Sequence, residues 1–268
     1  MPRINWDADG ERLYETGVKN GVLYPKNSSG KYPHGVPWNG LTSISESPSG
    51  AEANPIYADD IKYLNLYSIE EFGATVEAYM YPDEFAECDG SAQPKAGVFI
   101  GQQTRKAFGL SYVTTLGNDL QGNEYGYKLH LIWGAMASPS EKQYQTINDS
   151  PEPITMSWEI TTTPVKVTGY KNIANMIIDS TKVDPAELAT LESVLYGCDE
   201  FSTTKTYAVG DVVSYTSGDT GATYKCKTAV STAGAWDASK WDKLSDFVGP
   251  QLPSPDEVLA MFSADVAA

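Results

Sequence analysis

The sequence predicts a mainly β protein with flanking helices and a small inserted β module. Three observations lead there. Residues 154–167 read I-T-M-S-W-E-I-T-T-T-P-V-K-V, with Ile154, Met156, Trp158 and Ile160 alternating with Thr155, Ser157, Glu159 and Thr161. The 268 residues include 17 Tyr, 23 Gly and 16 Pro, the mixture expected of short strands joined by turns. A stretch of different texture, 198–246, lies between two helix-start signals at Asp184 and Ser254.

Strand side chains alternate between faces, so 154–167 predicts one long strand with an apolar face and a polar one. Such a strand belongs in an antiparallel sheet packed on one side only. Pro164 lacks an N–H, which confines ladder pairing at that end to an edge or a bulge.

In chain order, residues 1–35 lack periodicity and are rich in Gly, Asn, Ser and Pro, which predicts an extended arm with turns. Strand is expected from Val36 onward, then over Ile56 to Tyr67 and Thr75 to Tyr81. In the last of these, Val76, Ala78 and Met80 alternate with Glu77, Tyr79 and Tyr81. Arg105 to Leu116 and Tyr125 to Ala137 predict a pair of strands across L-G-N-D-L-Q-G-N-E. Asp184-Pro185-Ala186-Glu187 supplies an N-cap, a proline at the first helical position and a glutamate three after the cap. Leu188, Leu191 and Leu195 recur at helical spacing, and Gly197 stops the helix. Ser254-Pro255-Asp256-Glu257 repeats the start signal for a shorter helix before the tail S-A-D-V-A-A.

The 49 residues of 198–246 hold strand runs at 212–215 and 223–227 around a Gly-rich turn, a hairpin pattern. Five Lys against seven Asp and Glu give this stretch a charge of −2, leaving −14 of the total −16 on the remainder. The expected division is therefore a main domain over 1–197 and 247–268, with an inserted module at 198–246 in an exposed loop, where insertions are tolerated. The charge predicts repulsion of nucleic acid and anionic membranes.

No apolar run follows the single basic residue of M-P-R-I-N-W-D-A-D-G, and no stretch is long enough to span a bilayer, so neither signal peptide nor membrane anchor is expected. Cys88, Cys198 and Cys226 form no C-x-x-C pair and offer neither a disulfide framework nor a zinc site, consistent with synthesis in a reducing cytoplasm. His34 and His130 stand in different contexts without an H-E-x-x-H pattern, and no phosphate-loop or dinucleotide motif is present. Asp59-Asp60 and Glu70-Glu71 are expected to serve surface solvation, since adjacent strand residues face opposite ways. No catalytic residue, metal or cofactor is expected, and the chain is not expected to be an enzyme.

Several strings together resemble the major tail tube proteins of long-tailed bacteriophages and their prophage relatives. They are G-V-P-W-N-G-L-T-S-I-S-E-S-P-S-G-A-E (35–52), N-P-I-Y-A-D-D-I-K-Y (54–63), F-G-A-T-V-E-A-Y-M-Y-P-D-E-F (72–85) and S-W-E-I-T-T-T-P-V (157–165). The helix E-L-A-T-L-E-S-V-L-Y-G (187–197) and the ending L-P-S-P-D-E-V-L-A-M-F (252–262) complete them. The resemblance implies a β-sandwich or partial barrel, hexameric rings stacked into a tube, a virion location, and other phage tail proteins as partners. It implies DNA as passing cargo that is not bound. An acidic wall suits that role, because each Lys or Arg contact to phosphate would release counterions and add affinity. Glu77 and Glu159 are the candidates for lining the lumen. A tube of a phage-derived injection particle without a genome is the alternative within this class.

The inserted stretch resembles the small carbohydrate-binding modules of chitinases. Tyr207-x-x-Gly210-Asp211-x-Val213-x-Tyr215, Tyr224-x-Cys226-Lys227, Trp236 and Trp241 carry the likeness, with Ala229-Val230 where many relatives have an aromatic pair. The resemblance implies aromatic stacking on sugar, with cell-surface polysaccharide as a partner. Trp236 is the foremost candidate, with Tyr224 and Trp241 beside it, although a module this small also needs Tyr215, Tyr224 and Trp241 in its core. A carbohydrate-binding adhesin is the alternative from a different functional class.

Overall fold

The computed structural model describes residues 4, 6–147, 149, 151–218 and 220–263; the last part of the predicted tail, 264–268, lies outside them. Strand makes up 44% of the chain and helix 9%, a mainly β fold. In chain order the elements are β1 (Leu13–Pro25), β2 (Val36–Pro37), β3 (Leu41–Glu46), β4 (Ala53–Ala58), β5 (Ile61–Tyr67), β6 (Gly73–Ala78) and α1 (Phe85–Cys88). There follow β7 (Ala92–Lys95), β8 (Val98–Ile100), β9 (Phe108–Asn118), β10 (Gly122–Ala137), β11 (Met156–Thr162), β12 (Asn175–Asp179) and α2 (Pro185–Tyr196). The chain ends with β13 (Val212–Ser217), β14 (Thr220–Cys226), β15 (Trp241–Ser245) and α3 (Pro255–Leu259).

One sheet runs β2–β1–β9–β10–β11–β6–β3, with β12 alongside β10. β9 and β10 are the predicted antiparallel pair, placing Tyr112 opposite His130 and Leu110 opposite Ile132. Leu23, Val76, Ala78, Phe108, Leu110, Ile132, Trp158 and Ile160 meet in one buried cluster, with Leu41 and Ile44 of β3 packed against it. Side chains from both ends of the strand order can share a core only if the sheet curls, so it forms a partial barrel. Phe85 of α1 enters this core, 4.5 Å from the Trp38 ring and 5.1 Å from that of Trp158.

The opposite face of β1, β9 and β10 carries a second cluster. Tyr24, Val113, Leu129, Leu131 and Trp133 pack there against Leu188, Leu191 and Leu195 of α2 and Val258 of α3. α2 starts as its sequence predicts: the Asp184 carboxylate accepts from Ala186 N at 2.8 Å and Glu187 N at 3.3 Å, a cap worth about 1 kcal/mol. Tyr24 Oη donates to Leu195 O at 2.9 Å and Trp133 Nε1 to Pro253 O at 2.9 Å, fastening the end of α2 and the approach to α3 onto the sheet. α3 opens with a full capping box between Ser254 and Glu257.

Four expectations are corrected. Residues 13–25 are not part of an arm but form β1, hydrogen-bonded along β9. Register shifts between Thr16 and Lys19 and between Lys19 and Val22 break the period-two pattern there, and Gly17 and Asn20 adopt φ of 70° and 54° at these bulges. The strand expected over 154–167 spans only Met156–Thr162, because Thr163 N turns to Gly134 O ahead of Pro164. The strand expected over 56–67 is a hairpin. Asp59 and Asp60 form its two-residue turn with φ of 50° and 62°, the left-handed pair that matches the twist of hairpin strands, rather than two faces of one strand. The inserted stretch adds β15 to its expected hairpin, giving the order β13–β14–β15.

Candidate functional site

Among the surfaces of this fold, the following bear the sequence-predicted site residues or the largest exposed apolar ribbon. The first is the β4–β5 ribbon. Every residue of β4 is exposed, as is every residue of β5 except Asn65. Cross-strand register places Ile56 opposite Leu64 and Asn54 opposite Leu66, so one face is aliphatic. Tyr57, Tyr63 and Tyr67 stand 67–68% exposed. Among the described residues, the two strands pack extensively only on each other. An isolated two-stranded hairpin is marginal in water, and one carrying this much uncovered apolar surface marks an interaction surface.

The second surface is the polar face of β3, β6 and β11. Ser43 pairs with Glu77 and Ser45 with Thr75 on one side of β6; Ser157 and Glu159 pair with Glu77 and Thr75 on the other. Glu77 and Glu159 thus share one face as diagonal neighbours, while Val76 and Trp158 point into the core. Glu77 is half-buried and accepts from Ser43 Oγ at 2.8 Å; Glu159 is exposed.

The third surface belongs to the inserted stretch, where Tyr207, Val213, Cys226, Val230 and Trp241 form a separate buried cluster with Phe201, Tyr224 and Trp236 packed against it. The structure brings the three sugar-contact candidates together. Trp236 lies parallel to Tyr215, ring centres 4.0 Å and planes 7° apart, and near-parallel to Trp241 at 5.0 Å and 16°. Tyr224 meets Trp236 at 4.8 Å with planes at 64°. Trp241 is 4% exposed, and the flat surface of Trp236 is committed to its two stacking neighbours. Trp236, Tyr215 and Tyr224 are each half-buried, so the row is only partly open to solvent. Val230, at the position of the missing aromatic pair, is buried and exchanges backbone hydrogen bonds with Tyr207.

The cysteines are chemically quiet. Burial pushes the Cys88 thiol up to about 12 and also raises Cys198 and Cys226, away from the thiolate that nucleophilic chemistry needs. Among the described residues, no group of three or more His, Cys, Asp or Glu is placed to hold a metal ion. No helix among them is long and apolar enough to cross a membrane.

Sequence reasoning read 56–67 as one strand and missed both the hairpin and its exposure. The Asp59-Asp60 turn signal, flanked by apolar residues on both sides, was the available clue. No protein-family model matches the chain, and no curated protein matches it. Among solved structures it is similar to a chain in the cryo-EM structure of the anti-feeding prophage baseplate, six-fold symmetrised. That likeness has 9% identity and a TM-score of 0.30, covering 65% of this chain and 97% of the other.

Proposed function

We propose that this chain is a self-assembling structural subunit of a phage-type tail tube, with the inserted module as an outward decoration that binds carbohydrate. The observation that carries self-assembly is the β4–β5 ribbon, whose aliphatic and tyrosine-bearing surfaces are left open by its own chain. Burying apolar surface gains roughly 25 cal/mol per Å², so covering such a ribbon with neighbouring copies favours association. In this reading, hexameric rings stack, and the polar face with Glu77 and Glu159 turns toward a lumen through which DNA passes unbound. The total charge of −16 supports passage without adhesion. Other tail proteins cap the ends of the tube.

The half-buried rings of Tyr215 and Tyr224 support sugar binding, since the electron-rich faces of aromatic rings pack against pyranose C–H groups. Repetition along a tube would turn weak single contacts into avidity. Electron microscopy of the purified protein in negative stain at high concentration tests the assembly reading. Rings or tubes are expected; a strictly monomeric species, confirmed by light scattering at the same concentration, overturns it.

A further inference from the structure

The curled sheet brings its two flanks together around one buried histidine. β1 and β3 lie far apart in strand order, yet a carboxylate from each converges on His130 of β10, which is 7% exposed. Glu46, the last residue of β3, places Oε1 3.3 Å from His130 Nδ1, and Glu15 of β1 places Oε1 3.6 Å from Nε2. Tyr112 of β9 lies flat on the imidazole and donates to Glu46 Oε1 at 2.6 Å. Lys128 of β10 pairs with the other oxygen of Glu15. These are the charged and titratable groups facing the ring from β1, β3, β9 and β10.

The hydrogen bonds fix one ring proton. Thr114 Oγ1 donates to Glu15 and lies 3.0 Å from His130 Nε2. A hydroxyl that spends its hydrogen on a carboxylate can only accept from the ring, so Nε2 carries a hydrogen. Nδ1 is then the open question, and it is buried with no aligned hydrogen-bond partner. With a hydrogen on Nδ1, the ring is a cation between two carboxylates and attracts Glu46. Without it, Nδ1 turns a lone pair toward the Glu46 carboxylate, and the contact becomes repulsive.

We propose that His130 is a proton-dependent clasp on the seam between β1 and β3: the seam is closed when both ring nitrogens are protonated and loosens when Nδ1 loses its proton. Glu46 is the exit of β3 and stands seven residues before Ala53, where the exposed ribbon begins, so the clasp also sets how firmly the ribbon's root is held. The inference stands on the monomer's own geometry and does not depend on the assembly reading.

The test is hydrogen exchange on the full chain at about pH 5.5 and about pH 8, on either side of the range in which histidine side chains change charge, with intrinsic exchange rates corrected. Peptides over 41–46 are expected to lose protection on the order of tenfold at the higher pH, while the β9–β10 pairing does not. Glu46→Gln, which removes the repelled charge, is expected to abolish that difference; His130→Gln, which cannot gain a proton, is expected to show the same protection at both values. Equal wild-type protection at the two pH values overturns the proposal. So does a wild-type pH response retained in Glu46→Gln, and this variant decides the matter should His130→Gln fail to fold.

Discussion

Gln251 and Thr223 join the two parts of the chain: Gln251 Nε2 lies 3.4 Å from Thr223 Oγ1 and 3.3 Å from Phe247 O, while the Gln251 backbone N–H donates to Val194 O of α2. A buried side chain on the host segment is therefore satisfied in part by the inserted stretch, whose Ser245 Oγ also donates to Gln251 Oε1. The Lys31–Asp246 pair at 3.6 Å adds an exposed contact of little weight.

Deleting 199–246 with a short Gly-Ser link is expected to leave rings or tubes intact by electron microscopy. The caps of α2 and α3 lie outside the deletion. The deletion does strip partners from Gln251, which is 2% exposed, at a cost of about 1–3 kcal/mol in urea unfolding. Adding Gln251→Ala should recover part of that loss. A soluble, folded deletion variant that fails to assemble would mean the module belongs to the ring.

Ile56→Asp with Leu64→Asp puts charge on the aliphatic face of the ribbon. Because the ribbon contributes little to the body of the fold, monomer stability should change by only about 0.5 kcal/mol, while assembly is lost. Circular dichroism with light scattering separates the two effects. Assembly at wild-type concentration would show that other surfaces do the joining.

Trp236→Ala should destabilise the module itself by about 2–3 kcal/mol, below the full cost of a buried aromatic because the ring is only half-buried. The measurement is hydrogen exchange over 212–245 in parallel with binding to insoluble polysaccharide. Lost binding with unchanged protection would make Trp236 a contact residue alone.

Acid should weaken the seam through Glu46. The His130 contact, with help from the Tyr112 hydroxyl, holds this carboxyl below its ordinary range against the opposing effect of burial. A depressed folded pKa stabilises above the unfolded value, and that stability disappears as pH falls through the folded one. Urea midpoints between about pH 5 and about pH 3 should therefore fall less steeply in Glu46→Gln than in the wild type. Identical slopes would remove Glu46 from the account.

The full chain should give no gel shift with double-stranded DNA at physiological salt, and lowering the salt should not produce one, given a charge of −16. A shift that strengthens as salt falls would contradict a non-adhesive wall.

What was legible in the sequence follows from how local each signal is. Asp184, Pro185 and Gly197 act within one helix, and α2 lies where they place it. The β9–β10 pair was readable because its turn and alternation are intact over most of its length. β1 was not, because its two bulges shift the apolar phase and hide the pattern. The convergence of Glu15, Glu46 and His130 had no sequence signature, since it arises from the curl of the whole sheet. Trp236 could be named from its string, but its stacking against Trp241 depends on a third strand that the hairpin pattern does not announce.

The curled sheet also limits what can travel through this molecule. Trp38, Phe85, Phe108 and Trp158 fill its interior with neighbouring rings 4.5–5.8 Å apart, so among the described residues the curled sheet has no bore. In the proposed tube, the passage would therefore run between copies, with a gauge set by their number and tilt. Core substitutions would alter how long the folded chain survives without altering what fits through the proposed tube.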